Sequence, residues 1–245
     1  MSEISKNKIK WIRSLQMKKT RDEEGLYVIE GEKMIEELIH SFPNLIHTLI
    51  HTADFKMNFS LSSAEVYCVN QLELEQASGL KTPNKALAVL KKQHYHLPDK
   101  DQLIIALDGV QDPGNMGTIL RIADWFGIEN IICSLSTVEI YNPKVVQSSM
   151  GAILRINVHY TDLNLFLTNY PEPIYGALLE GDNIYKTKLT QKGVILLGNE
   201  GNGISAELQK KISHKISIPR FGNAESLNVS VATGIIVSEF KRNML

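Results

Sequence analysis

Cysteine is almost missing from this chain: Cys68 and Cys133 are the only two among 245 residues. Two thiols cannot build a disulfide framework or a four-cysteine zinc site, and the pattern suits a reducing cytoplasm. Long apolar runs are missing too. None approaches the roughly 18–20 residues of a membrane span, and the basic N-terminus lacks the apolar stretch of a secretory signal. A cytoplasmic location without membrane contact is therefore expected. Neither sign of charge dominates, with 26 Lys and Arg against 27 Asp and Glu, a net of −1. As a whole-chain figure this speaks against a nucleic-acid partner. Hydrophobic residues at 43% and charged residues at 22% exclude a disordered or fibrous chain. The length fits one large domain or two small ones.

Several catalytic signatures are also absent. There is no G-x-S-x-G elbow, no H-E-x-x-H, no dinucleotide G-x-G-x-x-G and no P-loop with its Lys-Ser/Thr. His47 and His51 share one face of an expected strand, and His94 and His96 flank a polar stretch. Neither pair has a Cys or carboxylate at ligand spacing, so no metal is expected.

What is present is uneven. The first 21 residues hold Lys6, Lys8, Lys10, Arg13, Lys18, Lys19 and Arg21 against Glu3 alone. They carry +6, which leaves −7 for the rest. Such a split is a hint of nucleic-acid contact, although charge runs are often only solvated. This segment reads as a short helix or arm, with Ile4, Trp11 and Leu15 on one face. Residues 22–93 then read as a small α/β unit, with strands near 26–29, 45–52, 66–69 and 86–90 and helices near 34–42 and 71–77. The polar stretch 94–100, with Pro98, is the candidate linker. From 100 to 245 apolar strands alternate with helices. Strands are expected at 103–107, 130–133, 155–158, 174–178, 194–197 and 215–218. Helices are expected at 117–126, 143–150, 163–168, 205–210 and 227–242. That pattern means a largely parallel sheet covered by helices.

In such sheets ligands bind beyond the carboxyl ends of the strands, and three turns there stand out. The first, DGVQDPGNMG over 108–117, leads into a helix carrying Arg121. Its bland alternative is a simple turn with Arg121 paired to Asp124 or Asp108. The second, LGNEGNG over 197–203, exposes backbone groups through its glycines and holds Glu200. Its bland alternative is a loop that precedes a helix capped by Ser205. The third, IPRFGNAESLNVS over 218–230, offers two hydroxyls and two amides near a helix start. Ser226 or Asn228 there suits a helix cap.

Taken together the three turns resemble the SpoU (TrmH-like) branch of the SPOUT RNA methyltransferases. The resemblance rests on Asn115, Gly117 and Arg121 in the first turn and on LLGNEGNGIS, 196–205, in the second. In the third it rests on Ile218-Pro219 and SLNVSVA, 226–232. SSMGAILRINVH, 148–159, is also similar, and residues 24–92 resemble more weakly the ribosomal-protein-like domain of the rRNA-modifying members. Arg220-Phe221 departs from the Met or smaller residue common there.

The resemblance implies an α/β fold with a deep trefoil knot in its C-terminal part, preceded by the small α/β RNA-binding domain. It implies a homodimer with a shared active site. It implies S-adenosylmethionine as methyl donor, held by backbone around Gly198, Ile218 and Leu227 with Leu197, Asn199 and Gly201 beside them. It implies methyl transfer to a ribose 2′-hydroxyl, with Arg121, Asn115, Glu200, Ser226 and Asn228 as the catalytic set. Arginine has almost no capacity to accept a proton, so Arg121 reads better as a group that positions phosphate and stabilises a forming alkoxide. Lys6, Lys8, Lys10, Arg13, Lys18 and Lys19 are the expected RNA contacts. Large-subunit (23S) ribosomal RNA, at a guanosine, is the expected substrate. A transfer-RNA ribose, or a non-catalytic RNA-binding dimer, is the alternative.

Overall fold

A computed structural model of the chain describes residues 3–56, 61, 64–98 and 101–242. It divides into two compact units. One is Met1–His94 with Tyr141–Leu154, the other Tyr95–Ile140 with Arg155–Leu245. The division falls in the polar stretch read as a linker, whose residues 99 and 100 lie outside the described ones. The segment 141–154, read as part of the C-terminal domain, is counted with the first unit.

The first unit is a four-stranded sheet with helices against it. Its strands are β1 (Leu26–Glu30), β2 (Ile46–His51), β3 (Glu65–Cys68) and β4 (Ala86–Lys91), and its first four helices are α1 (Lys6–Ser14), α2 (Lys18–Glu24), α3 (Glu32–Ser41) and α4 (Gln71–Ala77). The strand order is β1-β4-β2-β3, antiparallel except for the β2–β3 pair. The basic arm is not a solvated appendage. Ile4, Ile9, Ile12 and Leu15 are buried in the same core as Leu26, Val28, Leu74 and Val89. Trp11 is only partly buried, and Ile9 and Ile12 complete the apolar face that the sequence reading had under-counted. Arg21 is buried, and its guanidinium donates to the carbonyls of Leu15 (3.0 Å) and Gln16 (2.8 Å) just past the end of α1. A cation suits the negative end of a helix dipole. A further helix, α6 (Pro143–Ser149), belongs to this unit and lies against β1. Beside it Tyr141 rests on Tyr27, with ring centroids 4.5 Å apart.

The second unit holds a six-stranded, wholly parallel sheet. Its strands are β5 (Leu103–Leu107), β6 (Asn130–Cys133), β7 (Asn157–Tyr160), β8 (Ile174–Asn183), β9 (Gly193–Leu197) and β10 (His214–Ser217), in the order β10-β8-β9-β5-β6-β7. Every residue of β5, β6 and β9 is buried, as apolar parallel strands covered on both faces must be. Helices α7 (Leu163–Thr168) and α8 (Ala206–Gln209) pack on the face carrying Ile104, Ala106, Ile132, Val194 and Leu196. Helices α5 (Pro113–Trp125) and α9 (Val229–Arg242) pack on each other, and Phe240 of α9 meets the edge of Tyr175 in β8. The chain runs outward from β5 through β6 to β7, then returns to build β8 and β9 on the other side. The reversal lies between β5 and β9, the position at which open α/β sheets bind ligands.

Most boundaries agree with the sequence reading to within one residue, and five differ by more. α3 begins at Glu32, two residues earlier than expected. α5 begins at Pro113, four residues earlier than expected. Asp112 caps it by accepting the Asn115 amide at 2.7 Å, and proline at the first helical position loses no hydrogen bond. α9 begins at Val229, since Asn228 is the residue that caps it. β7 lies two residues later than expected, and β8 runs on to Asn183 against the edge strand β10.

If α1 is part of the core, Ile12→Ala should cost about 2–5 kcal/mol in urea unfolding, the usual range for emptying a buried aliphatic site. A change within about 0.5 kcal/mol, typical of solvent-exposed positions, would return the segment to a solvated helix.

Candidate active site

The three turns singled out in the sequence meet at the carboxyl edge of the parallel sheet, at the ends of β5, β9 and β10. One side chain joins them. Asn115, in the first turn of α5, is 9% exposed. Its amide nitrogen donates to Glu200 Oε1 at 3.0 Å, and its oxygen accepts from Asn228 Nδ2 at 2.8 Å. The loop after β9 is thus tied to α5, and α5 to the loop before α9.

Glu200 is gripped from the first turn as well. The backbone amides of Gln111 and Asp112 each lie 3.3 Å from its carboxylate. Partial burial raises its pKa, but the Asn115 amide and the backbone N–H groups outweigh this, so the group sits below the ordinary carboxylate value. It is therefore a fixed anion at neutral pH. Asn199 provides a second staple. Its Nδ2 donates to the Gly109 carbonyl at 2.7 Å, while its Oδ1 accepts from the amides of Gly201 (2.9 Å) and Asn202 (3.0 Å). The loop closes on itself through paired bonds between Asn199 and Gly203. A Cβ on Gly198 would come within 2.1–2.4 Å of the Gly203 and Ile204 backbone, and Gly203 sits at φ +67°. Both glycines are demanded by the turn itself. Asp108 completes the frame by accepting the Ser205 amide at 2.8 Å.

Asn228 settles which residue caps α9. Its Oδ1 accepts from the amides of Ser230 (2.9 Å) and Val231 (3.3 Å). Ser226 is exposed in the preceding loop and makes no hydrogen bond among the described residues. Leu227 is 49% exposed, and Ile218 is half-buried. From Arg220 to Leu227 no backbone N–H donates to another described residue. Arg220 instead turns its own guanidinium onto the Ala224 carbonyl at 3.3 Å, and Phe221 is 98% exposed.

Arg121 stands apart from this network. It is exposed and forms no hydrogen bond or ion pair among the described residues. The two bland partners are occupied elsewhere: Asp124 holds Arg155 with contacts of 2.7–3.0 Å, and Asp108 holds Ser205. Because α5 starts at Pro113, Arg121 is more than two turns into the helix, not one. Glu200 makes its hydrogen bonds with amides and none with Arg121.

The basic residues near the N-terminus divide in two. Lys8 pairs with Glu65 at 2.6 Å and lies 4.3 Å over the Trp11 ring. Lys18 pairs with Asp22 and Lys19 with Glu23. Lys6, Lys10 and Arg13 are exposed, have no hydrogen-bond or ion-pair partner among the described residues, and recur at i, i+4 and i+7 on one flank of α1. The histidine pairs hold no metal cluster: among the described residues no group of three His, Cys, Asp or Glu is placed to bind an ion. No helix among the described residues is long and apolar enough to cross a membrane.

The chain matches the SpoU rRNA Methylase family over residues 102–238. It belongs to that family. Residues 6–88 match the MRM3-like substrate binding domain. The chain is 29% identical to the 23S rRNA (guanosine(2553)-2′-O)-methyltransferase RlmP of Bacillus subtilis, over 96% of both chains. Among solved structures, it superposes with a TM-score of 0.90 on a TrmH-family chain from Porphyromonas gingivalis, 35% identical over 99% of this chain and 100% of that one. The AdoMet-bound rRNA methyltransferase of Sinorhizobium meliloti gives 0.86 at 26% identity, over 100% of this chain and 98% of that one. The family's methyl donor is compatible with this site. The loop before α9 offers unclaimed backbone donors and an exposed apolar side chain, Leu227, which suit a purine and its ribose.

An ionised Glu200 has a pH signature. A carboxylate favoured by the fold adds stability above its unfolded pKa and loses it as pH falls through its lowered folded pKa. The stability gap between wild type and Glu200→Gln, measured by urea unfolding, should be widest near neutrality and close in acid. A gap that stays constant into acid would contradict the fixed anion.

Proposed function

We propose that this SpoU-family enzyme transfers a methyl group from S-adenosylmethionine to a ribose 2′-hydroxyl of 23S ribosomal RNA, at a guanosine. The observation that carries this is the joining of three strand-end loops through Asn115, in a chain that matches the rRNA enzymes from end to end. An N-terminal unit that matches a substrate-binding domain favours ribosomal over transfer RNA. A folded enzyme of this kind acts in the cytoplasm.

The cofactor would be held at Gly198, Ile218 and Leu227, beside Leu197 and Gly201, and it supplies an electrophilic methyl group. The protein's own work is binding and orientation. Arg121 is free to meet an RNA phosphate and to stabilise negative charge on the 2′-oxygen as its proton leaves. Ser226, with an unbonded hydroxyl, is placed to hold the target nucleotide. Asn115, Glu200 and Asn228 act behind them as positioning residues, because their side chains are engaged with one another. Asn199 has the same character. Phe221, bare beside Arg220, offers a ring on which an unstacked base can lie.

We further propose that the C-terminal part carries the family's trefoil knot and that two copies share the site. Arg121, which has no hydrogen-bond or ion-pair partner among the described residues, supports a shared site. So do Trp125 (83% exposed) and Val231 (51% exposed), bare apolar side chains on helices α5 and α9.

The RNA grip of the first unit narrows to Lys6, Lys10 and Arg13. Deleting residues 1–21 would strip the core, so point changes are the better test. Replacing these three by Gln should weaken RNA binding and flatten its log–log salt slope by about 2, from roughly 0.7 per neutralised phosphate. Lys18→Gln with Lys19→Gln should leave the slope nearly unchanged. Equal effects from both sets would show that the stripe is not the footprint.

Labelled methyl transfer to separated ribosomal and transfer RNA, with mapping of alkali-resistant linkages, tests the reaction. Label in 23S RNA that Arg121→Ala abolishes while cofactor binding persists is the expected result. Label in transfer RNA alone, or in none, would overturn the substrate or the activity.

A further inference from the structure

The network at the site includes the second hydroxyl of the third turn, Ser230, to which no role has been given so far. Ser230 lies in the first turn of α9 and is 6% exposed. Its hydroxyl stands 2.7 Å from Asn228 Oδ1 and 3.5 Å from Asn115 Oδ1. A serine hydroxyl carries one proton, and the shorter contact takes it. Asn228 Oδ1 therefore accepts from the Ser230 hydroxyl as well as from the amides of Ser230 and Val231.

The consequence runs along the chain of amides. With three donors around its oxygen, the Asn228 side chain has one orientation, nitrogen toward Asn115. Asn115 must then present its oxygen to Asn228 and its nitrogen to Glu200, whose carboxylate can only accept. The order is locked at both ends, by an anion at Glu200 and by a hydroxyl donor at Ser230. One N–H of Asn115 and one of Asn228 stay outside these bonds, each held in a fixed direction. We propose that Ser230 is a positioning residue for methyl transfer, acting through Asn228 to set the amide order of the Asn228–Asn115–Glu200 chain. This rests on the methyltransferase reading above and deepens it.

The bland alternative is that Ser230 merely completes the first turn of α9. A structural residue of that kind would change stability or cofactor binding together with rate. A positioning residue changes turnover and spares cofactor affinity, and a second hydroxyl at the same place restores it.

The test compares wild type, Ser230→Ala and Ser230→Thr in the full-length enzyme. It reads kcat and KM on ribosomal RNA, the Kd for S-adenosylmethionine, and the thermal midpoint. We expect Ser230→Ala to lower kcat about tenfold, equal to about 1.4 kcal/mol in the barrier. The cofactor Kd should stay within about twofold, and Ser230→Thr should recover most of the loss. An unchanged kcat in Ser230→Ala would overturn the proposal. So would a parallel loss of cofactor affinity, or a folded Ser230→Thr as slow as Ser230→Ala. Wild type that methylates no RNA would sink the methyltransferase reading and this proposal with it. Active wild type with an equally active Ser230→Ala would sink this proposal alone.

Discussion

The contact on which the site depends is the amide of Asn115 held between Glu200 and Asn228. The three loops come from distant parts of the chain. Asn115 converts them into one body because a single planar amide both donates and accepts. Its burial raises the stakes: an unpaired polar group at that depth costs roughly 1–3 kcal/mol, so breaking either link leaves a penalty as well as a gap. Glu200 anchors one end with its charge, and the capped start of α9 anchors the other.

The rest of the second unit can be understood as support for that contact. Parallel strands with both faces covered put the carboxyl ends of β5, β9 and β10 on one edge of the sheet. The reversal of strand order between β5 and β9 opens the position that the loops occupy. Pro113 and Asp112 start α5 early enough to bring Asn115 into its first turn. Gly198 lets the chain fold back on Ile204 where no side chain would fit. Arg121 is left outside this frame, exposed and unpaired among the described residues. Positioning and chemistry are thus carried by different side chains.

Much of this was legible in the sequence, because strand ends, glycine turns and apolar periodicity are local signals. β5, β6 and the helices α4 and α7 lie where their residues predict, and all three loops were recognisable from composition. What was not legible depends on partners far away in the chain. Asn115 and Glu200 are 85 residues apart, and Asn115 and Asn228 are 113 apart. No local pattern tells an asparagine that orients a substrate from one that orients a loop. The basic arm misled for a similar reason. Its charge was obvious, but Glu65 neutralises Lys8 from a distant strand, and Ile9 and Ile12 turn the segment inward. Ser230, one of the two hydroxyls of the third turn, showed no role of its own, because a serine in a first helical turn is ordinary until its neighbours are known.

The most direct measurement is a double-mutant cycle between Glu200→Ala and Asn228→Ala, read as kcat/KM for methyl transfer. The two side chains share no hydrogen bond, and Asn115 is bonded to both. If the three loops work as one unit, the changes are non-additive, with a coupling of about 0.5–3 kcal/mol. Additivity to within about 0.3–0.5 kcal/mol, the behaviour of independent sites, would contradict it.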